Sequence, residues 1–474
     1  MFSGSLLRPT VGITGVVTAA AFETIAVSTA MPEAVKAVNG LGAYAWAFNG
    51  VVIATLVATV AGGDYSDRKG PKLPLIGGLM VFAVGLLVCA TANVMPIFVI
   101  GRVLQGLGGG AAIVAVYVVV ARGYEAKIRP QVFSALAAAW VVPSLVGPFI
   151  AGAIAEFWTW RVVFFAVVPI VVIAMFLVWP LVSAVEGPGG IGHGQDKDLA
   201  DAGEQTTQSS RSGRTRWAAS LAAGAVLIQD GGRRLGLVGA GEALIGLVVV
   251  GFALQRLLPS GSLRLARGLP SAIGARGLLA GAFFGAQAFV PLMLVDQRGL
   301  GLTLAGLSLT TSSLGWFVGS WWQGRPDLTI HRDRLIIVGA LCVFVGIVLM
   351  TLTVTLPAPA AIAGLAWAIG GFGMGITIPA VNVWVLGMSS GEEQGANSAA
   401  LQLGDGAGVL TCTALAGVIY GIGTAPAGQQ QVTFLTIFVT MTAVCIVAIV
   451  AASRLTVIAP SVTQVSATEP ARDA

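Results

Sequence analysis

Three carboxylates and one guanidinium interrupt long apolar stretches of this chain: Glu23, Arg102, Glu242 and Asp405. An ionised side chain inside a bilayer costs several kcal/mol unless it is protonated, paired or open to a wet cavity. Each is therefore a candidate for function, and each could instead be a structural polar group satisfied by its neighbours. Glu23, in Phe22-Glu23-Thr24, precedes Pro32 by nine residues, roughly 13 Å along a helix rising 1.5 Å per residue. A carboxyl at that depth can load and release a proton near neutral pH; the plainer reading is a glutamate held by a hydroxyl or backbone group. Arg102 opens Arg102-Val103-Leu104-Gln105-Gly106-Leu107-Gly108. A guanidinium stays charged and must find an acceptor, while the glycines after Gln105 let a second helix approach closely. Asp405 follows Gly404 early in an apolar run and could line a central cavity. Glu242 lies on a run with a more peripheral character.

Other side chains suggest binding rather than proton chemistry. Gln287 and Asn382 are polar within apolar runs, suited to hydrogen bonds between helices or to a substrate cavity. Trp140 and Trp316 lie deep in their runs, as do Trp46 and Trp367. Aromatic faces of this kind can receive flat or cationic ligands, or simply pack on lipid. Both histidines, His193 and His331, fall in polar loops, so no histidine relay crosses the apolar region. Cys89, Cys342, Cys412 and Cys445 have no metal-like spacing. No G-x-x-x-x-G-K-[ST] phosphate loop exists. No metal, cofactor or enzymatic centre is expected.

The elements that must position these residues are membrane helices. Of 474 residues, 56% are hydrophobic and 10% charged, with mean hydropathy +0.88. A soluble domain carries roughly 25% charged residues, so this composition requires an all-α polytopic membrane protein. The net charge of +5 gathers on no single basic face, which argues against nucleic acid. Fourteen apolar segments can be marked, from 10–32 to 432–453, most near the roughly 20 residues a spanning helix needs. The seventh, 216–230, is short and ends on Gln229-Asp230. Residues 185–215 lack an apolar period and read as a linker. The expected organisation is 1–184 as a first six-helix bundle, 185–215 as a cytoplasmic linker and 216–257 as an inserted helix pair. A second six-helix bundle, 258–453, and a cytoplasmic tail, 454–474, complete it.

Charge sets the expected orientation. With both termini in the cytoplasm, Lys36, Arg161, Arg233, Arg234 and Arg298 fall outside and Arg102 within a span, leaving twenty of 26 basic residues inside. That is the asymmetry of the positive-inside rule. A weak repeat relates the halves. Gly106, Gly108 and Gly110 resemble Gly371, Gly373 and Gly375, and Gly63 is paired with Gly319.

Gly63-Asp64-Tyr65-Ser66-Asp67-Arg68-Lys69-Gly70-Pro71-Lys72 joins the second and third apolar runs. Its spacing, G-x-x-x-D-R-x-G-x-K, resembles the signature loop of the major facilitator superfamily of transporters, with Tyr65 and Pro71 departing from the usual residues. The Arg102 segment is similar to that family's R-x-x-Q-G-x-G motif, whose arginine is implicated in proton coupling. Pro143-Ser144-Leu145-Val146-Gly147-Pro148-Phe149-Ile150-Ala151-Gly152 resembles its antiporter motif, with Pro143 and Ala151 replacing glycines. Pro148 kinks the helix, and Gly147 and Gly152 permit tight packing. Asp67 and Arg68 are expected to form a latch by capping a helix and pairing across the gap.

The resemblance, carried by residues 19–165, is to a 14-helix drug:proton antiporter. It implies a monomer in the plasma (inner) membrane that exports small hydrophobic, often cationic compounds against protons. Glu23, Arg102 and Asp405 would couple the proton. A dedicated exporter of one metabolite, sugar or lipid is the alternative.

Overall fold

A computed structural model of the chain describes residues 4–124, 128–185, 204–234, 237–325, 330–356, 359–389, 394–423 and 430–455. Among these, all regular structure is helical. The first half holds α1 (Gly4–Ala37), α2 (Trp46–Lys69), α3 (Gly78–Thr91), α4 (Met95–Gly123), α5 (Arg129–Phe157) and α6 (Trp160–Val185). Then come α7 (Glu204–Arg233) and α8 (Leu237–Leu257). The second half holds α9 (Leu269–Gln287), α10 (Val290–Arg298), α11 (Leu302–Gln323), α12 (Arg332–Thr355), α13 (Ala360–Met388), α14 (Gln394–Gly423) and α15 (Gln430–Ala452). In hydrocarbon every backbone group must be satisfied within the segment, which apolar runs achieve as helices. Pro96, Pro130, Pro270 and Pro291 stand in first turns, where the missing N–H has no intrahelical partner to lose.

Helices α9 and α10 form one interrupted span, Leu269–Arg298. Among the described residues twelve stretches are long and apolar enough to cross a membrane, two fewer than the fourteen expected. The two that fall short are α7 and α11. Polar residues dominate the first half of α7, and Thr303, Ser308, Thr310, Thr311, Ser312 and Ser313 lower the hydropathy of α11. Within the expected 185–215 linker, residues 204–215 are helical and begin α7; 186–203 lie outside the described residues, as do 456–474 of the tail.

The two halves pack alike. In the first, α1 packs on α5 and α6, α4 on α2 and α3, and α3 on α6. In the second, α9 packs on α14 and α15, α13 on α11 and α12, and α12 on α15. Glycines set the repeat register. A Cβ on Gly110 would lie 2.7 Å from the Thr55 carbonyl oxygen, and one on Gly106 would strike that of Val51. In the second half Gly371 meets Ser312 and Gly375 meets Trp316 in the same way. Gly108 and Gly373 face the third helix of each half. The offset is 265 on the glycine helices (371 − 106) and 261 on their partners (312 − 51). Gly63 therefore corresponds to Gly324, not Gly319; Gly319 instead meets α13 at Phe372.

The start of α1 meets the end of α4 through Thr10 and Tyr124, and the end of α15 meets the start of α9 through Arg454 and Gly268. These ends define a terminal face, and the turn from 38 to 45 lies on the opposite one. The halves touch where α5 crosses α11 and where α2 meets α14; α7 packs on α8, α2 and α14. Asn49 donates to Gln229 (2.6 Å), a buried bond tying α7 to α2. The outer side of α8 presents Leu244, Leu247, Val248 and Phe252.

Candidate functional site

The Arg102 motif sits where three helices of the first half converge. Gly106 lets α2 lie against α4, which brings the Ala47 carbonyl within 2.6 Å of Arg102 Nε. Gln105, one turn along α4 on the same side, accepts from Arg102 Nη1 at 2.7 Å. The same nitrogen pairs with Glu23 of α1. Glu23 is 3% exposed, Arg102 4% and Gln105 1%. Three sequence candidates thus form one dry, charge-compensated cluster. A buried pair of this kind is costly to break from one side, because the remaining charge has no partner. Gln105 Nε2 and Thr29 Oγ1 are buried with no partner among the described residues.

A second cluster occupies the other half. Arg276 of α9 donates from Nε to both Asp405 oxygens (2.9 Å each) and from Nη2 to Oδ2 (2.5 Å). Its Nη1 donates to Asn382 of α13. Two glycines bring α9 and α14 together: Cβ atoms on Gly277 and Gly281 would lie 2.6 Å from the carbonyl oxygens of Gly404 and Gly408. Sequence reasoning missed Arg276, which follows Arg264 and Arg267 closely and reads as a loop cation. The available signal was the need of Asp405 for a cation. Arg276, only 3% exposed, is the basic residue within α9. Asn382, expected to bond between helices or to line a substrate cavity, joins α13 to this cluster.

Gln287 and Trp316 are linked through Trp367 and Phe283. Trp367 Nε1 donates to Gln287 Oε1 (3.1 Å) and its ring stacks on Phe283, centroids 5.1 Å apart. Trp316 lies edge-on to Phe283 and tilted against Phe284. By the glycine register (102 + 265 = 367), Trp367 holds on α13 the place of Arg102 on α4. The charged pair of one half therefore corresponds in register to a neutral hydrogen bond in the other. Trp140 stands apart on α5, 39% exposed. Glu242 pairs with Arg234 (2.8 Å) at the end of the α7–α8 hairpin, away from both clusters.

Contacts between the halves close the face opposite the termini. Lys36 Nζ pairs with Asp296 Oδ1 (2.5 Å). Glu156 at the end of α5 accepts from the Thr303 backbone N–H (2.8 Å), capping the first turn of α11 where an anion is favoured. Tyr44 donates to the Ala288 carbonyl (3.0 Å) and packs with Phe289 and Tyr420. The Gly147-Pro148-Gly152 segment builds the α5–α11 crossing. A Cβ on Gly152 would lie 2.6 Å from the Leu302 carbonyl oxygen, and Gly306 lies against that of Pro148. Gly147 instead faces Ala26 and Phe22 of α1.

The signature loop turns at Gly70, φ +93°, a region open to glycine. Arg68 pairs with Asp64 one turn back on α2 (3.1 Å); the expected pairing across the gap is not among the contacts of the described residues. Lys72 lies over the Trp179 ring, 5.4 Å from its centroid. Gly63 passes Val114 of α4. The Asp67 side chain lies outside the described residues.

The sequence profile of the Major Facilitator Superfamily matches residues 13–369. The multidrug transporter protein MdtP of Bacillus subtilis (strain 168) is 26% identical over 407 residues, covering 83% of this chain and 72% of that protein. The multidrug efflux pump SdrM of Staphylococcus aureus (strain N315) is 28% identical over 158 residues, 33% of this chain and 35% of SdrM; the chain spans about a third of SdrM in that match. Among solved structures, a D-xylose–proton symporter superposes with TM-score 0.66 at 14% identity, covering 95% of this chain and 98% of that one. A bacterial homologue of the human lysosomal transporter Spinster, in an inward-facing and occupied conformation, gives 0.61 at 12% identity over 94% and 95%. At such identities the likeness is one of fold.

Proposed function

The chain belongs to the Major Facilitator Superfamily, and on that premise we propose that it is a proton-coupled antiporter exporting hydrophobic, cationic compounds by alternating access. As a member of that family it is a multi-pass membrane transporter and not an enzyme. The observation that carries the proton reading is the Glu23–Arg102 pair, dry and shared among α1, α2 and α4. A carboxylate so placed can exchange its arginine partner for a proton, and the exchange changes how α1 and α4 hold one another.

In this reading α1–α6 and α9–α15 are two six-helix bundles, with α7 and α8 inserted between them; α7 and α11 cross the membrane too, giving fourteen spans. Both termini lie in the cytoplasm, in keeping with the basic residues near the terminal face, and the protein works as a monomer in the plasma membrane. The Lys36–Asp296 side is then closed to the exterior. A proton reaching Glu23 from outside discharges it and frees Arg102 to its remaining partners. Proton release inside restores the charge. Asp405, paired with Arg276, is a second carboxylate that a proton can neutralise. The partly exposed Trp316 ring, edge-on to the buried Phe283, offers a face to flat cations. The similarity to the multidrug transporter MdtP and the multidrug efflux pump SdrM supports export of several drugs.

The test is substrate-induced proton movement in inside-out vesicles, wild type against Glu23→Gln, over chemically unrelated lipophilic cations and neutral compounds. Proton movement with several compounds, abolished in a normally expressed variant, supports the reading. Normal coupled export by Glu23→Gln removes the proton role. A response to one compound alone makes the protein a dedicated exporter.

A further inference from the structure

A cavity of about 740 Å³ is formed by the end of α8 and the connector that follows it, on the terminal face and away from both charge clusters. Its lining combines Arg256 and Arg264 with Phe252, Leu258, Leu263 and Ser260. We propose that this cavity binds the phosphate group of an anionic phospholipid, whose acyl chains lie along the outer side of α8.

Charge is the first argument. From Ala243 to Val295 the chain has no Asp or Glu. Among the described residues no carboxylate pairs with Arg256, Arg264 or the neighbouring Arg267. Arg256 lies over the Trp217 ring, 5.7 Å from its centroid, which orients the guanidinium without neutralising it. Cations left uncompensated at a membrane surface attract anionic headgroups, by about 1 kcal/mol each.

Shape is the second. The connector is a built structure rather than a slack loop. Gly261 and Leu265 both have positive φ, +89° and +50°, and the latter is a strained conformation for a leucine. It is held because the Leu265 carbonyl accepts from Arg454 Nη1 (3.2 Å), Ser262 Oγ donates to the Pro259 carbonyl (2.8 Å), and the Leu265 side chain lies against Gly274. The turn Ser262–Arg264 between them carries Leu263 and Arg264 to the cavity.

Position is the third. The mouth lies on apolar surface: Phe252 is 59% exposed and Leu263 51%, continuous with Leu247 and Val248 of α8. A soluble anion gains nothing from that surface, whereas a lipid buries its chains on it.

The test uses the full-length protein in neutral detergent, with native mass spectrometry counting phosphatidylglycerol adducts against phosphatidylcholine. We expect preferential phosphatidylglycerol binding that falls about fivefold for each arginine removed, or about 30-fold in R256Q/R264Q. A second variant, Ser260→Trp, fills the mouth without altering charge and should reduce binding while leaving thermal unfolding unchanged. Inorganic phosphate is added as competitor and should displace little. Undiminished phosphatidylglycerol binding in the folded variants, or equal phosphatidylcholine binding, overturns the proposal. Displacement by millimolar phosphate makes this a soluble-anion site and overturns it as well. Transport assays do not enter, so failure here is separate from failure of the antiport reading.

Discussion

Replacing Arg102 with methionine should destabilise the fold by about 3–5 kcal/mol, the usual cost of stranding one member of a buried ion pair. Arg102 is 4% exposed and its partner Glu23 3%, so no water reaches the carboxylate left behind. The Ala47 carbonyl and Gln105 Oε1 lose their donor in the same step. Adding Glu23→Gln to the same chain removes the stranded charge, and its amide can donate to one of the two oxygens. The residual cost is then that of imperfect hydrogen bonding, about 1–2 kcal/mol. Glu23→Gln should therefore recover about 2–3 kcal/mol of the Arg102→Met loss, whereas independent sites would add their separate costs to within a few tenths. Unfolding of the four purified proteins in one detergent measures the coupling, and vesicle flux measures transport in parallel. The double variant should be folded and inactive in coupled export. Additive stabilities would mean that the pair is solvated and that the dry-pair reasoning is wrong.

Gly152→Val places side-chain carbon against the Leu302 carbonyl, so it should hold α5 and α11 apart and abolish flux at normal expression; cysteines introduced near the 38–45 turn should label faster than in the parent. Lys36→Glu sets two carboxylates together at the same face and should likewise favour opening, while adding Asp296→Lys should restore labelling and flux; unchanged labelling in the single variant would count against a gate there. Because Lys36 is one-third exposed, the pair itself should be worth about 1 kcal/mol or less. Gly70→Ala, at φ +93° and ψ 161°, should cost about 1–3 kcal/mol, measured by thermal unfolding; a neutral result would mean that the turn can relax. A cysteine at position 200 should react with impermeant reagent only from the cytoplasm, and labelling of intact cells would invert the topology.

The legible part of this protein is what local composition controls. Apolar runs must become helices in lipid, so the helical class and the position of nearly every helix follow from hydropathy. Exceptions arise where packing outweighs composition: the hydroxyl-rich α11 falls below the hydropathy of a span yet packs between α5 and α13, and α7 begins inside a polar stretch. Isolated charges were legible for the same reason. Glu23, Arg102 and Asp405 stand out because hydrocarbon tolerates few of their kind.

Partnership was not legible. Glu23 and Arg102 are 79 positions apart, and Arg276 and Asp405 are 129 apart. Which charge meets which depends on how two helices cross and on the angle each presents, and a single chain's periodicity records neither. The glycines show both sides of this. Their recurrence at 106, 108 and 110 and again at 371, 373 and 375 was visible in the sequence and marks where backbones approach. Only the folded chain decides that this approach presents a carbonyl to Arg102 in one half and sets Trp367 against Phe283 and Gln287 in the other. Composition alone determined that this chain lives in a membrane as helices carrying a few costly charges; crossing geometry, summed over contacts distant in sequence, decided which of those charges are paired and which helices carry the seam.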